Sequence, residues 1–141
     1  IKNIFKKKGI SIDKLYNKDY IQKNYDINLQ FDTYFKKLVE EFPNLELEQF
    51  QSNVEGELID KLQEVGFTYD AILLNAGGYT HTSVAIAACI ESIETSVYEI
   101  HISNIYARED FRKKSLLSEN CKAVICGLGL DSYTAALLTL K

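Results

Sequence analysis

The sequence contains no methionine and begins at Ile1, so residues upstream of Ile1 are expected to be missing from it. No apolar run reaches the ~18 residues that a membrane helix needs, and no signal peptide is legible, so no membrane association is expected. Its three cysteines, Cys89, Cys121 and Cys126, show neither CxxC nor Cys/His ligand spacing. Each stands among apolar residues and reads as a reduced core thiol, which favours the cytoplasm. There is no GxxxxGK[ST] loop and no GxGxxG; Gly127-Leu128-Gly129 lacks the third glycine. No serine or cysteine sits in a nucleophile elbow. Two histidines without an Asp/Cys ligand pattern do not make a zinc set, so no metal and no cofactor are expected. A formal charge of −4 lacks the basic footprint of a nucleic-acid binder.

What remains is one domain of 141 residues with a strong α/β alternation. Residues 1–28 are rich in Lys, Asn, Tyr and Ile with weak periodicity, and read as loop. The run Lys6-Lys7-Lys8 fits either a solvated surface or a basic lid over an anionic substrate. Leu29 to Phe42 carries a helical apolar stripe ended by Pro43-Asn44. Leu45 to Gln51 alternates as a strand, and Asn53 can cap a helix that Gly66 stops. Ala71 to Leu74 reads as a buried strand, Ala76-Gly77-Gly78 as a turn, and Thr80 to Ile93 as a helix capped by Thr80 or Thr82. Val97 to Ile102 is the next strand, and Arg108 to Lys114 a short helix carrying both arginines. Ala123 to Cys126 is a strand, Gly127 to Gly129 a turn, and Asp131 the cap of a helix running through Leu140. Such an order implies a parallel sheet with helices on both faces, most simply flavodoxin-like. Four strands are legible; the first strand, central in such folds, is missing or degenerate.

The chemistry-bearing residues gather after the strands, where open α/β sheets bind ligands. Asn75 ends a strand before two glycines; its amide suits reading hydroxyls or holding a water, or it closes an Asx-turn on itself. His81 at a helix start is expected to be neutral and hydrogen-bonding, or else a surface residue. Glu99 and His101, two apart on a strand, share a face. A carboxylate there fixes the imidazole's tautomer and favours its charged form, which suits a general acid; the plainer reading is a buried, satisfied histidine. Arg112 offers a bidentate fork for vicinal hydroxyls or a carboxylate, or pairs with Glu109 or Asp110. Ser103 and the backbone N–H groups after His101 fit a carboxylate nest.

The stretches FQSNVEGELID (50–60), LLNAGGYTHTSVA (73–85), EIHISNIYAREDFRKKS (99–115) and VICGLGLDSY (124–133) together resemble type II 3-dehydroquinate dehydratase, from near Phe31 to the end of the chain. The resemblance implies a flavodoxin-like fold, a homododecamer of trimers, and the shikimate-pathway loss of water from 3-dehydroquinate through an enolate, with neither metal nor Schiff base. By that likeness His101 protonates the departing hydroxyl and Glu99 orients it. Asn75 holds the water that stabilises the enolate, Ile102 and Ser103 grip the substrate carboxylate, and His81 and Arg112 bind hydroxyls. The C2 proton would go to a tyrosinate: Tyr25 falls within one residue of that position, with Tyr16 or Tyr20 as other candidates. The sequence departs from the family in three places. The NGPNLNLLG motif is absent. No arginine precedes Arg108, leaving Lys8 or Lys18 to activate the tyrosine. Ala88 stands where the family carries an acid reaching the neighbouring subunit. A relative that binds a small hydroxy acid without turning it over, and a phosphate or nucleotide binder using residues 76–81, are the alternative readings.

Overall fold

The computed structural model describes residues 3–7, 12–14 and 25–140, with side chains from Gln30 onward. Six strands form one sheet: β1 (Asn3–Lys7), β2 (Ile12–Lys14), β3 (Leu47–Phe50), β4 (Tyr69–Leu74), β5 (Ser96–His101) and β6 (Ala123–Cys126). Among the described residues four helices cover it: α1 (Tyr25–Glu41), α2 (Glu55–Val65), α3 (Val84–Ser92) and α4 (Asp131–Leu138). The order across the sheet is β2-β3-β1-β4-β5-β6. β4, β5 and β6 are parallel neighbours, as are β2 and β3.

The middle of the sheet departs from expectation. The central position is filled by β1, which runs antiparallel to both β3 and β4, with Ile4 opposite Gln49 on one side and Leu73 on the other. Residues read as loop thus supply two strands. The facing edges of β3 and β4 carry backbone donors and acceptors that need partners, and a strand in either direction satisfies them. The link from Lys7 to Ile12 is too short for a parallel crossover, so β2 reverses β1 and falls into line with β3. Lys6 and Lys7 lie in β1, whereas Lys8, Tyr16, Lys18 and Tyr20 lie outside the described residues.

Alternation along β4 and β5 sorts the interior into two layers. Ala71, Leu73, Tyr98 and Ile100 meet Phe31 and Leu38 of α1 and Tyr133 and Leu137 of α4. Ile72, Leu74 and Val97 meet Leu58, Leu62 and Val65 of α2 and Ile86 and Ile90 of α3. Each such buried aliphatic or aromatic side chain contributes about 1.5–3 kcal/mol. By parity Glu99 and His101 share the second face with Val97, so a carboxylate stands where the pattern calls for an apolar side chain.

Element ends differ from the sequence reading for local reasons. α1 begins at Tyr25, four residues earlier than the apolar stripe marks. Asn53 does not cap α2: Val54 holds that position, and Ser52 Oγ accepts its N–H at 2.9 Å while donating to the Glu57 carboxylate. Neither Thr80 nor Thr82 caps α3. A 3-10 turn runs from Gly77 to His81, and Ser83 Oγ then accepts the Ile86 N–H at 2.9 Å. The segment Arg108 to Lys114 is no single helix; 3-10 turns at Ile105–Ala107 and Asp110–Lys113 leave Arg108 extended between them. Leu130, not Asp131, is the cap residue of α4, which ends at Leu138.

Candidate active site

β4, β5 and β6 run in parallel, with Leu74 beside Glu99 and His101 beside Cys126. Their C-terminal ends therefore form one edge, carrying Asn75, the segment His101 to Ser103, and the turn Gly127 to Gly129. That turn requires its glycines, with φ of +90° at Gly127 and +61° at Gly129. It holds the end of β5 in place. The Gly127 N–H donates to the His101 carbonyl at 3.2 Å and the Gly129 N–H to the Ile102 carbonyl at 3.0 Å. Ser132 Oγ adds a second bond to the His101 carbonyl at 3.2 Å.

Glu99 is fully buried and His101 nearly so, and Glu99 Oε1 lies 2.6 Å from His101 Nε2. This fixes which ring nitrogen faces the acid and leaves Nδ1 available to a ligand. The other oxygen, Oε2, accepts from Ser118 Oγ at 2.6 Å and Ser115 Oγ at 3.1 Å. Burial alone would push the Glu99 carboxyl up. The bonds from His101, Ser118 and Ser115, with the imidazole's charge, outweigh it and hold the carboxyl below its ordinary value.

Of the other predicted residues, His81 connects to this pair through the segment 109–118, in which Arg112 also lies. His81 ends the 3-10 turn rather than opening a helix, and its Nδ1 donates to the Lys114 carbonyl at 2.7 Å. One residue on, Ser115 reaches Glu99. Phe111 packs edge-on against His81 at 5.9 Å, and the Arg112 guanidinium lies 4.8 Å from the Phe111 ring centre. Arg112 Nε donates to Glu109 Oε2 at 2.8 Å, so its guanidinium forms an ion pair there. Asn75 closes an Asx-turn, Oδ1 accepting the Gly77 N–H at 3.1 Å, and its amide also bonds the buried Tyr133 hydroxyl from α4. Burial holds the Tyr133 phenol far above its ordinary titration range. Ser103 Oγ accepts from Arg108 Nη1 at 3.3 Å. Tyr25 is the first residue of α1; its side chain lies outside the described residues.

Sequence reading missed three groups that touch the site, namely Ser115, Ser118 and Tyr133. The serines come from a segment without helical or strand period. Tyr133 sits on an apolar helix face, where a tyrosine looks like core.

A doubly covered α/β sheet with an acid–imidazole pair and an amide on its C-terminal edge is a flavodoxin-like framework. Residues 17–141 match the family model of class II dehydroquinase, and the chain belongs to that family. The 3-dehydroquinate dehydratase of Campylobacter jejuni subsp. jejuni is 50% identical over 102 residues, which are 72% of this chain and 64% of that protein. The chain thus spans just under two thirds of that relative's length. The 3-dehydroquinate dehydratase of Fusobacterium nucleatum is 48% identical over 110 residues, 74% of this chain and 75% of that one. The crystal structure of type II dehydroquinase from Butyrivibrio crossotus superposes with a TM-score of 0.71 at 33% identity, covering 93% of this chain and 94% of the other.

Proposed function

We propose that the chain converts 3-dehydroquinate to 3-dehydroshikimate and water. The observation that carries this is the buried Glu99–His101 pair at 2.6 Å on the ligand edge of the sheet. A proton beside a ketone must be taken by a base, leaving an enolate that needs hydrogen-bond donors where charge develops. A tertiary hydroxyl then leaves as water once protonated. His101 supplies that proton, its ring held by Glu99. The Asn75 amide holds the water that stabilises the enolate. Ile102 and Ser103 hold the substrate carboxylate, and the hydroxyls fall to His81 and Arg112. Tyr25 is the proposed base; an unperturbed phenol titrates near 10, so the role requires a cation that favours the phenolate.

Three unpaired thiols, Cys89, Cys121 and Cys126, suit a reducing compartment and support a cytoplasmic location. Among the described residues no helix is long and apolar enough to cross a membrane. The exposed face of α3, with Val84, Ala85 and Ala88 open to solvent, supports assembly into a homo-oligomer, a dodecamer of trimers. The direct test is to add 3-dehydroquinate to the folded protein and follow the conjugated enone by its ultraviolet absorbance. A folded protein that produces no enone refutes the reading.

A further inference from the structure

Acid catalysis as proposed uses only one oxygen of Glu99, the one facing His101. The other, Oε2, is gripped by two hydroxyls, Ser118 Oγ at 2.6 Å and Ser115 Oγ at 3.1 Å. Both come from the segment after β5, and that segment is firmly mounted. Ser115 Oγ also accepts the N–H groups of Leu117 and Ser118 at 3.0 and 3.1 Å, so the turn that presents Ser118 is wound around Ser115. Leu117 between them is fully buried, the Leu116 N–H donates to the Thr80 carbonyl at 2.9 Å, and Asn120 Nδ2 donates to the Ala87 carbonyl at 2.9 Å.

A buried acid–imidazole pair can hold one proton in two ways: carboxylate with imidazolium, or carboxylic acid with neutral imidazole. In a site that excludes water, the uncharged arrangement competes, because burial penalises both ions. Both arrangements keep an N–H at Nδ1, but only from the first can the ring give that proton up and end as neutral imidazole. From the second its loss would leave an imidazolate unless the acid's proton moved to Nε2. Hydroxyl donors on Oε2 favour the first arrangement, since a carboxylate accepts more strongly than an acid. Cys121 is also electrically coupled to Glu99. Burial, and then the charge of Glu99, push its thiol up to about 12, so it stays neutral. The cross-strand neighbours of Glu99, Leu74 and Val124, carry no charge.

We propose that Ser118 and Ser115 are positioning residues that keep the shared proton of the pair on His101 rather than on Glu99. The consequence for turnover rests on the dehydratase reading; the consequence for the proton does not.

Ser118→Ala is the cleaner variant, because Ser115→Ala would also unwind the turn. In the intact protein, imidazole ¹⁵N chemical shifts are followed through the titration of the pair, with His81 as internal reference. Below the midpoint, His101 is expected as imidazolium in the wild type and displaced toward neutral imidazole in Ser118→Ala. Ser118→Thr, which keeps the hydroxyl, restores the wild-type shifts. Turnover of Ser118→Ala is expected to fall about tenfold in kcat with KM nearly unchanged, the scale of one lost hydrogen bond to a charged group. Coincident ¹⁵N titrations in the wild type and Ser118→Ala overturn the proposal, whatever the activity. An inactive wild type that still shows the displacement refutes the dehydratase reading and leaves this one standing.

Discussion

Glu99 occupies a position that its strand would otherwise give to an aliphatic side chain. A carboxylate there is stable only because each of its oxygens accepts hydrogen bonds. Its folded-state carboxyl titrates below the ordinary value of 4.5. By linkage, its contribution to stability is complete above that pH and is lost as pH falls through the lowered value. Glu99→Gln removes that loss, so its melting temperature should fall less steeply than the wild type's on acidification below about pH 4.5. At neutral pH the variant is expected to be less stable by about 1–3 kcal/mol, since an amide cannot accept all of these donors. Parallel acid limbs in the two proteins would contradict this. His101→Ala should cost about 10²–10⁴ in kcat with substrate affinity largely kept. An unchanged kcat would remove His101 from the acid role. Tyr25→Phe and Tyr16→Phe, measured side by side, locate the base: one should lose turnover, and equal activity in both refutes the placement of that loop.

The secondary-structure elements show where physical pattern is readable and where it is not. Ala123–Cys126 matches its sequence reading, Tyr69–Leu74 contains all of its own and Ser96–His101 most of its own, because parallel strands in such a sheet are short apolar runs, buried in β4 and β5 and half-exposed at the edge in β6. The pairing of Glu99 with His101 was equally legible, since a spacing of two on a strand admits one geometry. Caps were not. The 3-10 turn Gly77–His81 spends five residues before α3 starts, so Ser83 takes the role that Thr80 or Thr82 seemed to hold. Ser115 and Ser118 were invisible for a related reason: irregular segments aim side chains without any period. Gly66 illustrates a right position with a different cause. Its φ is −66°, so the turn does not need glycine for its backbone, but an added Cβ would sit 2.4 Å from Ile93 Cγ2 and 2.7 Å from the Leu62 carbonyl. Gly66→Ala should therefore destabilise by about 1–3 kcal/mol through overpacking. A melting temperature equal to the wild type's would show that Ile93 yields freely.

At the scale of the whole molecule, α3 leaves an apolar face exposed to solvent. Val84 is 71% exposed at the start of α3, with Ala85 and Ala88 beside it. Light scattering should give a mass near twelve protomers of 16.1 kDa, and Val84→Asp should lower it to smaller species. A monodisperse single protomer refutes the assembly. The antiparallel β1 has a consequence of its own. It is made before both of its neighbours, which arrive only at residues 47–50 and 69–74. During synthesis, then, the middle rung waits unpaired until about a third of these residues have emerged, and meets its second neighbour only after about half. Long loops must close before the ladder can form, which slows folding and extends the interval in which a bare strand is open to the wrong neighbour.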